Sequence, residues 1–152
     1  LTLWGSLINI REAKEDDLTD IFRIEVECFG KHAYPLRLLR MLLILHGDLF
    51  LVAEEEGRLI GYVVAAEVKG RGHILSIAVD PPNQRRGVGS RLFEEVMRRL
   101  RDRGFRRFKL EVRVDNYAAR RFYEKHGFKA VGFIKSYYDD GASALVYEKI
   151  EQ

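Results

Sequence analysis

Residues 74–90, ILSIAVDPPNQRRGVGS, constrain this chain more than any other stretch. A β-branched run is stopped by Pro81 and Pro82, and Gly87 and Gly89 then open a new element, so a strand must hand over directly to a helix start. The first N–H groups of a helix have no partner within it and carry roughly half a positive charge, which makes that end welcoming to an anion. The two glycines keep side chains off the backbone there. Arg85 and Arg86 add forked donors suited to phosphate oxygens. The familiar phosphate loops do not fit: no Lys-Ser or Lys-Thr follows at Walker spacing, and GVGSRL is not G-x-G-x-x-G.

Around that junction the chain reads as short alternating elements. Residues 7–11 start a strand, and Glu15, Asp16 and Asp17 form an acidic start to a helix carrying Leu18, Ile21, Phe22, Ile24 and Val26. Residues 30–35 break it, and Leu36, Leu38, Leu39, Leu42, Leu43 and Leu45 give a second, very apolar helix ending near Gly47. Strands at 49–54 and 59–68 flank Glu56-Gly57, a hairpin signal with Gly57 at positive φ. The Gly70-Arg71-Gly72 turn leads into the strand 73–79, where Ile74, Ile77 and Val79 do not alternate, as expected of a central strand covered on both faces. From Val88, the spacing of Leu92, Phe93, Val96, Met97 and Leu100 predicts a helix closed by Gly104, with Glu94/Arg98 and Glu95/Arg99 as exposed pairs. A strand at 108–114, a short helix at 118–126 capped by Asn116 and stopped by Gly127, and a long hairpin of 128–138 with 142–150 complete the order. That order is α+β: a mixed sheet with helices on both faces.

At 152 residues, one domain spanning 1–152 with a sizeable core is expected. With 47% hydrophobic and 32% charged residues the composition is that of a soluble globular protein. The longest apolar run, 41–45, is far too short to span a bilayer, and the opening LTLWGSL lacks the basic and apolar regions of a signal peptide. A cytoplasmic address follows as the default. One cysteine, Cys28, excludes an internal disulfide and a Cys-rich zinc site, and reads as a small buried hydrophobe. His32, His46, His73 and His126 show no metal-binding pairing, so no metal is expected. The net charge of +3 is compatible with phosphorylated ligands or a ribosomal neighbourhood. The arginine-rich outer face of the helix after Val88 reads as a solvated surface, not a nucleic-acid patch.

Gln84-Arg85-Arg86-Gly87-Val88-Gly89 resembles the Q/R-x-x-G-x-G/A acetyl-CoA loop of the GNAT superfamily of N-acetyltransferases. Downstream, LEVRVDNYAARRFYEKHGF (110–128) resembles the family's second signature and is most similar to the RimI-type branch, which acetylates protein N-termini. The resemblance implies a central sheet of about seven strands, mostly antiparallel, in which the fourth and fifth part at a bulge and the cofactor's pantetheine arm fills the gap. It implies acetyl-CoA as the acyl donor, with CoA as product. Gln84, Arg85, Arg86, Gly87, Val88, Gly89 and Ser90 would take the pyrophosphate, the backbone of Ile77, Ala78 and Val79 would polarise the thioester, and Asn116 would bond the pantetheine arm. Tyr123 falls on the tyrosine whose hydroxyl approaches the cofactor sulfur, with Phe122 as its core-packing neighbour. Read without the resemblance, Tyr123 is simply a core aromatic.

Glu111 points away from Leu110 and Val112, and alone it would be a charge on the solvent side of a strand. In the resembled family its strand is central and this position faces the acceptor groove. His73 falls where relatives carry a group near the acceptor amine, and either residue can hold the water that takes the proton. Tyr34, Pro35 and Leu36 resemble one wall of the acceptor groove. Tyr137 and Tyr138 resemble the tandem tyrosines of the other, although adjacent tyrosines at a strand end also follow from β-propensity. A terminal α-amine has a pKa of about 7.7–8.0 and a lysine about 10.4, so neutralising lysine at pH 7 costs roughly 3.5 kcal/mol more, which favours an α-amine for so modest a base. The implied partner is a protein or peptide N-terminus close to the ribosome, met by a monomer or weak dimer with no membrane and no direct nucleic-acid contact. A small-molecule amine or a lysine as acceptor stays open, as does a non-catalytic CoA- or nucleic-acid-binding module.

Overall fold

Two apolar periods lay out the computed structural model, which describes residues 7–152; the reading of the opening LTLWGS falls outside the described residues. Extended segments form β1 (Ile8–Glu12), β2 (Phe50–Glu55), β3 (Arg58–Val68), β4 (Arg71–Val79), β5 (Arg107–Arg113), β6 (Lys129–Ile134) and β7 (Ala144–Ile150). Segments with helical spacing form α1 (Leu18–Phe29), α2 (Leu36–His46), α3 (Val88–Asp102) and α4 (Tyr117–Lys125). The sheet runs β1-β2-β3-β4-β5-β7-β6. Its β1/β2, β2/β3, β5/β7 and β6/β7 pairs are antiparallel, and its β4/β5 pair is parallel. This is the α+β arrangement read from the sequence. The chain divides into two compact units, one comprising the residues through Ala66 with Ser76–Arg103, the other Glu67–Leu75 with Gly104–Gln152.

In the first unit Phe50, Leu51, Val52 and Ala53 are all buried in succession, so both faces of β2 are covered. The neighbouring β3 shows by what. A Cβ on Gly61 would meet Leu92 Cδ1 of α3 at 3.2 Å, whereas the next residue, Tyr62, reaches Glu25 of α1. Successive strand residues point to opposite faces, so α1 and α3 lie on opposite sides of β3. The same Cβ would stand 3.0 Å from the Ala78 carbonyl oxygen, so only glycine lets β3, β4 and α3 approach this closely. All five apolar positions predicted for α3 are buried, each contributing about 1.5–3 kcal/mol for a fully buried Val, Leu, Phe or Met. On its outer face Glu95/Arg99 pairs at 3.1 Å as anticipated, while Arg98 turns to Glu95 and Asp102, one turn to either side, rather than to Glu94. Between β2 and β3, Glu56 and Gly57 take φ of 53° and 76°, the pair of positive values that a two-residue hairpin of matching twist requires.

In the second unit β7 lies between β5 and β6, registered with β5 from Arg107↔Ile150 to Arg113↔Ala144. Phe108, Leu110 and Val112 face the core, which turns Lys109, Glu111 and Arg113 to the other side. The last hairpin is shorter than its sequence suggests. β6 ends at Ile134 and β7 begins at Ala144, so Tyr137 and Tyr138 lie in a loop and not on a strand end.

The strand β4 departs from its reading as a strand sealed on both sides. Gly72, Ile74 and Ala78 are buried, while His73, Leu75, Ile77 and Val79 are only half-buried. The pleat sends alternate residues to opposite faces, leaving one face partly open despite its apolar side chains. Among the described residues, no helix is long and apolar enough to cross a membrane.

Candidate active site

The strand-to-helix junction is built as its sequence suggests. β4 stops at a tight turn (Pro81–Asn83) in which the Asn83 N–H donates to the Asp80 carbonyl, and Gly87, at φ 81°, is the N-cap of α3. Arg85 also takes a positive φ of 65°, a conformation that costs a side-chain-bearing residue energy and tends to persist at ligand clamps. The Gln84 side-chain amide folds back to donate to the Val79 carbonyl at 2.9 Å. Arg86 is engaged within the protein: its fork donates to both carboxylate oxygens of Glu55, at 2.6 and 3.0 Å, and to Asn83 Oδ1 at 2.6 Å. This bidentate hold keeps the Glu55 carboxyl below its ordinary value and leaves Arg86 as a brace of the loop. Arg85 is exposed and makes no hydrogen bond or ion pair among the described residues. Val88 is buried, and Gly89 and Ser90 are half-buried in the first turn of α3.

On α1 lies a group that the sequence reading passed over. Glu25 is only 2% exposed, and its Oε2 accepts the backbone N–H of Tyr34 at 2.8 Å. Its other oxygen accepts the Tyr62 hydroxyl, which also lies 3.0 Å from Ser76 Oγ on β4. Burial pushes this carboxyl up to about 7, against the opposing pull of the bonds from Tyr34 and Ser76. The signal was present: Leu18, Ile21, Glu25 and Cys28 recur at helical spacing, so the acid falls on the apolar stripe of α1. One turn on, the Cys28 thiol donates to the Val79 carbonyl at 3.3 Å. Burial, then the charges of Glu25, Asp80 and Glu27, raise that thiol to about 11, so it is held as the unreactive thiol. Tyr34 and Leu36 are half-buried and Pro35 is exposed at the start of α2.

The second unit brings its predicted residues together. His73 Nε2 and Glu111 Oε1 are 2.7 Å apart, and Lys109 Nζ lies 3.2 Å from the other Glu111 oxygen. Burial alone would raise the Glu111 carboxyl, but the hydrogen bond and charge of His73, helped by Lys109, outweigh it and hold the group below its ordinary value. An ionised Glu111 accepts, so the proton of this hydrogen bond is carried by His73 Nε2. Burial first, and then the charge on Glu111, raise the Tyr137 phenol, so that ring lies within electrostatic reach of the pair. Tyr137 and Tyr138 meet edge to face at 5.0 Å, and the Arg113 guanidinium stands 4.4 Å from the Tyr138 ring centre while pairing with Asp140 at 3.1 Å. Lys109, which helps hold Glu111 down, and Arg113, which pairs with Asp140 beside Tyr138, were also missed, although they share the face of β5 that carries Glu111.

On α4 the Asn116 side-chain oxygen caps the helix by accepting the Ala119 N–H at 3.1 Å. Tyr123 is buried, its ring 6.3 Å from Phe128 and 6.4 Å from Tyr147. The packing role expected of Phe122 falls to Tyr123; Phe122 is half-buried against His126. A further network, in which the Tyr147 hydroxyl donates to Glu124 at 2.7 Å and accepts from Arg120 Nε at 3.2 Å, ties α4 to β7. Among the described residues, no group of His, Cys, Asp and Glu is arranged to hold a metal ion.

This chain matches the Acetyltransferase (GNAT) family over residues 15–128. It is 34% identical over 150 residues to an N-alpha-acetyltransferase of Sulfolobus acidocaldarius, covering 90% of this chain and 89% of the relative. Among solved structures it is similar to Ard1 from Thermoplasma volcanium, with a TM-score of 0.90 and 30% identity over 95% of this chain and 98% of the other. The ribosomal-protein-S18-alanine N-acetyltransferase of Escherichia coli superposes with a TM-score of 0.82 at 26% identity, covering 96% of each chain.

Proposed function

Since the chain belongs to the acetyltransferase (GNAT) family, we propose that it moves an acetyl group from acetyl-CoA to the α-amino group of a protein or peptide N-terminus, by direct transfer and as a single acetyltransferase domain. The observation that carries this reading is the 2.7 Å His73–Glu111 pair within electrostatic reach of Tyr137. A base fixed in one tautomer by a carboxylate is suited to an α-amine, whose proton is far easier to remove than that of a lysine. Two relatives are named for N-terminal acceptors, one for N-alpha-acetylation and one for the alanine of a ribosomal protein, which supports the same acceptor class and a cytoplasmic setting near the ribosome.

The residues at the junction fit a CoA pyrophosphate. Exposed Arg85 has an unspent guanidinium, Gly87 takes its left-handed conformation with no atom near a would-be Cβ, and the first-turn N–H groups of α3 are oriented outward by helix geometry. When bound, acetyl-CoA supplies an activated acetyl thioester. Arg85 and the α3 N-terminus would hold the phosphates, Arg86 keeps the loop in shape through Glu55, Asn116 would orient the pantetheine arm, and the backbone of Ile77, Ala78 and Val79 would polarise the acyl carbonyl. His73 and Glu111 would receive the amine proton, and Tyr123 would protonate the departing sulfur. Tyr34, Pro35 and Leu36 of the first unit, and separately Tyr137 and Tyr138 of the second, are the residues assigned to the acceptor. Cys28, kept protonated, does not serve as an acyl carrier, which favours direct transfer over a covalent enzyme intermediate.

Acetylation of a library of free-N-terminal peptides, read by mass spectrometry, tests this reading. Acetyl groups are expected on α-amines, with far slower transfer to the same sequences blocked at the N-terminus and carrying an internal lysine. Acetylation mainly on lysine side chains, or on a polyamine in preference to every peptide, would overturn it.

A further inference from the structure

Nothing in the acyl-transfer reading uses Glu25, yet a carboxyl buried to 2% exposure is costly to keep unless its bonds matter. Its bonds are selective. Tyr34 precedes a proline, so its backbone is biased to the extended region and its N–H cannot join the first turn of α2. That N–H meets Glu25 Oε2 at 2.8 Å. The opposite oxygen takes the Tyr62 hydroxyl, which reaches Ser76 on β4, and one turn along α1 the Cys28 thiol is bonded to the carbonyl of Val79, also on β4. The carboxyl therefore joins three segments of the first unit: the α1–α2 connection at Tyr34, the middle of β3 and the second half of β4.

We propose that Glu25 is a positioning residue for the acceptor, fixing the backbone at Tyr34 so that residues 34–36 present a preformed wall to the incoming peptide. This rests on the reading of Tyr34, Pro35 and Leu36 as that wall. On either side, the Ala33 N–H closes the preceding turn on Gly30 and the Leu38 and Leu39 N–H groups open α2 by bonding to the Pro35 carbonyl, while the Tyr34 N–H ties this connection to α1 through Glu25. Without Glu25 the Tyr34 N–H lacks its buried acceptor, and the wall must be ordered anew for each peptide bound. Acceptor affinity would suffer while chemistry and donor binding do not.

The informative variant is Glu25→Leu/Tyr62→Phe, because it removes the buried Glu25–Tyr62 bond from both sides and so singles out the loss of the Glu25 acceptor at the Tyr34 N–H. Its melting temperature is expected to fall by no more than about 10 °C, leaving it folded at 25 °C, and its calorimetric affinity for acetyl-CoA should stay within about twofold. Peptide KM should rise about tenfold with kcat nearly unchanged, the size of one lost hydrogen bond. Glu25→Gln should restore peptide KM, since an amide oxygen can still accept from Tyr34 while its NH2 faces the Tyr62 oxygen. In wild-type protein, NMR should find the Tyr34 amide strongly protected from hydrogen exchange, and this protection should be lost in the double variant. A folded double variant with wild-type peptide KM, or an unprotected Tyr34 amide in the wild-type protein, overturns the proposal. Tyr34→Ala separates the two layers: if it raises peptide KM while the double variant does not, Glu25 is not the positioning residue, and if it leaves KM unchanged, the acceptor-wall reading itself falls.

Discussion

Glu25 and Glu111 are the same side chain in two settings, and they move in opposite directions. Both lose water, and in both burial is the largest influence, pushing the carboxyl upward. Glu25 meets neutral donors, and the bonds from the Tyr34 N–H and the Ser76 hydroxyl are not enough to pull it back, so it stays up at about 7. Glu111 meets His73 and Lys109, and it falls below its ordinary value. The charge of the partner, more than the depth of burial, decides which carboxylate stays ionised. It also separates a group fit to orient a base from one fit to hold a backbone.

The strongest way to break this contrast is at Glu111. Glu111→Gln should lower kcat about 10²- to 10³-fold, most severely at low pH where the acceptor amine is protonated, with acetyl-CoA affinity unchanged. If the pair acts as one unit, adding His73→Ala should cost little more, and steady-state kinetics on the two single variants and the double would reveal any simple additivity.

Next in size is a stability effect of opposite sign at the two sites. A carboxyl raised in the folded state contributes stability that is fully present below its unfolded value of 4.5 and is lost as pH rises through about 7. Glu25→Gln should therefore stabilise the protein at pH 8, by up to about 3 kcal/mol, and bring little gain at pH 4.5. Glu111 is lowered, so its contribution is present above the ordinary carboxylate value and lost as pH falls through its depressed one. Glu111→Gln should accordingly destabilise at neutral pH, with the difference closing in acid. Urea denaturation of both variants across this range would show whether the two curves diverge.

A smaller effect carries the same contrast to the arginines. Arg85→Ala should weaken acetyl-CoA binding by about 1.5–3 kcal/mol, the range for hydrogen bonds to charged groups, with no change in melting temperature. Arg86→Ala, by releasing Glu55 and Asn83, should loosen the loop and disturb binding only indirectly, so equal losses in calorimetry for the two variants would erase the distinction. Smallest of all, Tyr138→Ala should raise peptide KM a few-fold, about the worth of an exposed cation–π contact, while leaving the acetyl-CoA KM alone.

Much of the fold was legible because it depends on periods and punctuation. Leu92, Phe93, Val96, Met97 and Leu100 are buried as their spacing predicts, Glu56-Gly57 turns the hairpin, and Asn116 caps α4. What stayed hidden depends on partners distant in sequence. Nothing local says that Arg86 meets Glu55 or that Glu111 meets His73, because those encounters are made by strand order and register. Glu25 reads as one more acid in a run that also holds Glu27, and only its place among Leu18, Ile21 and Cys28 hints that it points inward. The strand carrying Tyr137 and Tyr138 reads too long in the sequence, because the pairing of Ile134 with Ala144 already closes the register that β7 offers.

The half-buried Cys28 has a practical bearing. Its thiol bonds to the Val79 carbonyl and is raised to about 11, so it carries almost no thiolate at neutral pH, and thiolate is the species that maleimides and iodoacetamides capture. It is also the one cysteine of this sequence. A reporter cysteine introduced at exposed Asp139, beside the tyrosine pair, would then take a fluorophore or spin label alone, without first removing the native residue. Whether residues 135–143 respond to an added peptide would thus become readable by optical and magnetic spectroscopy in an otherwise unaltered protein.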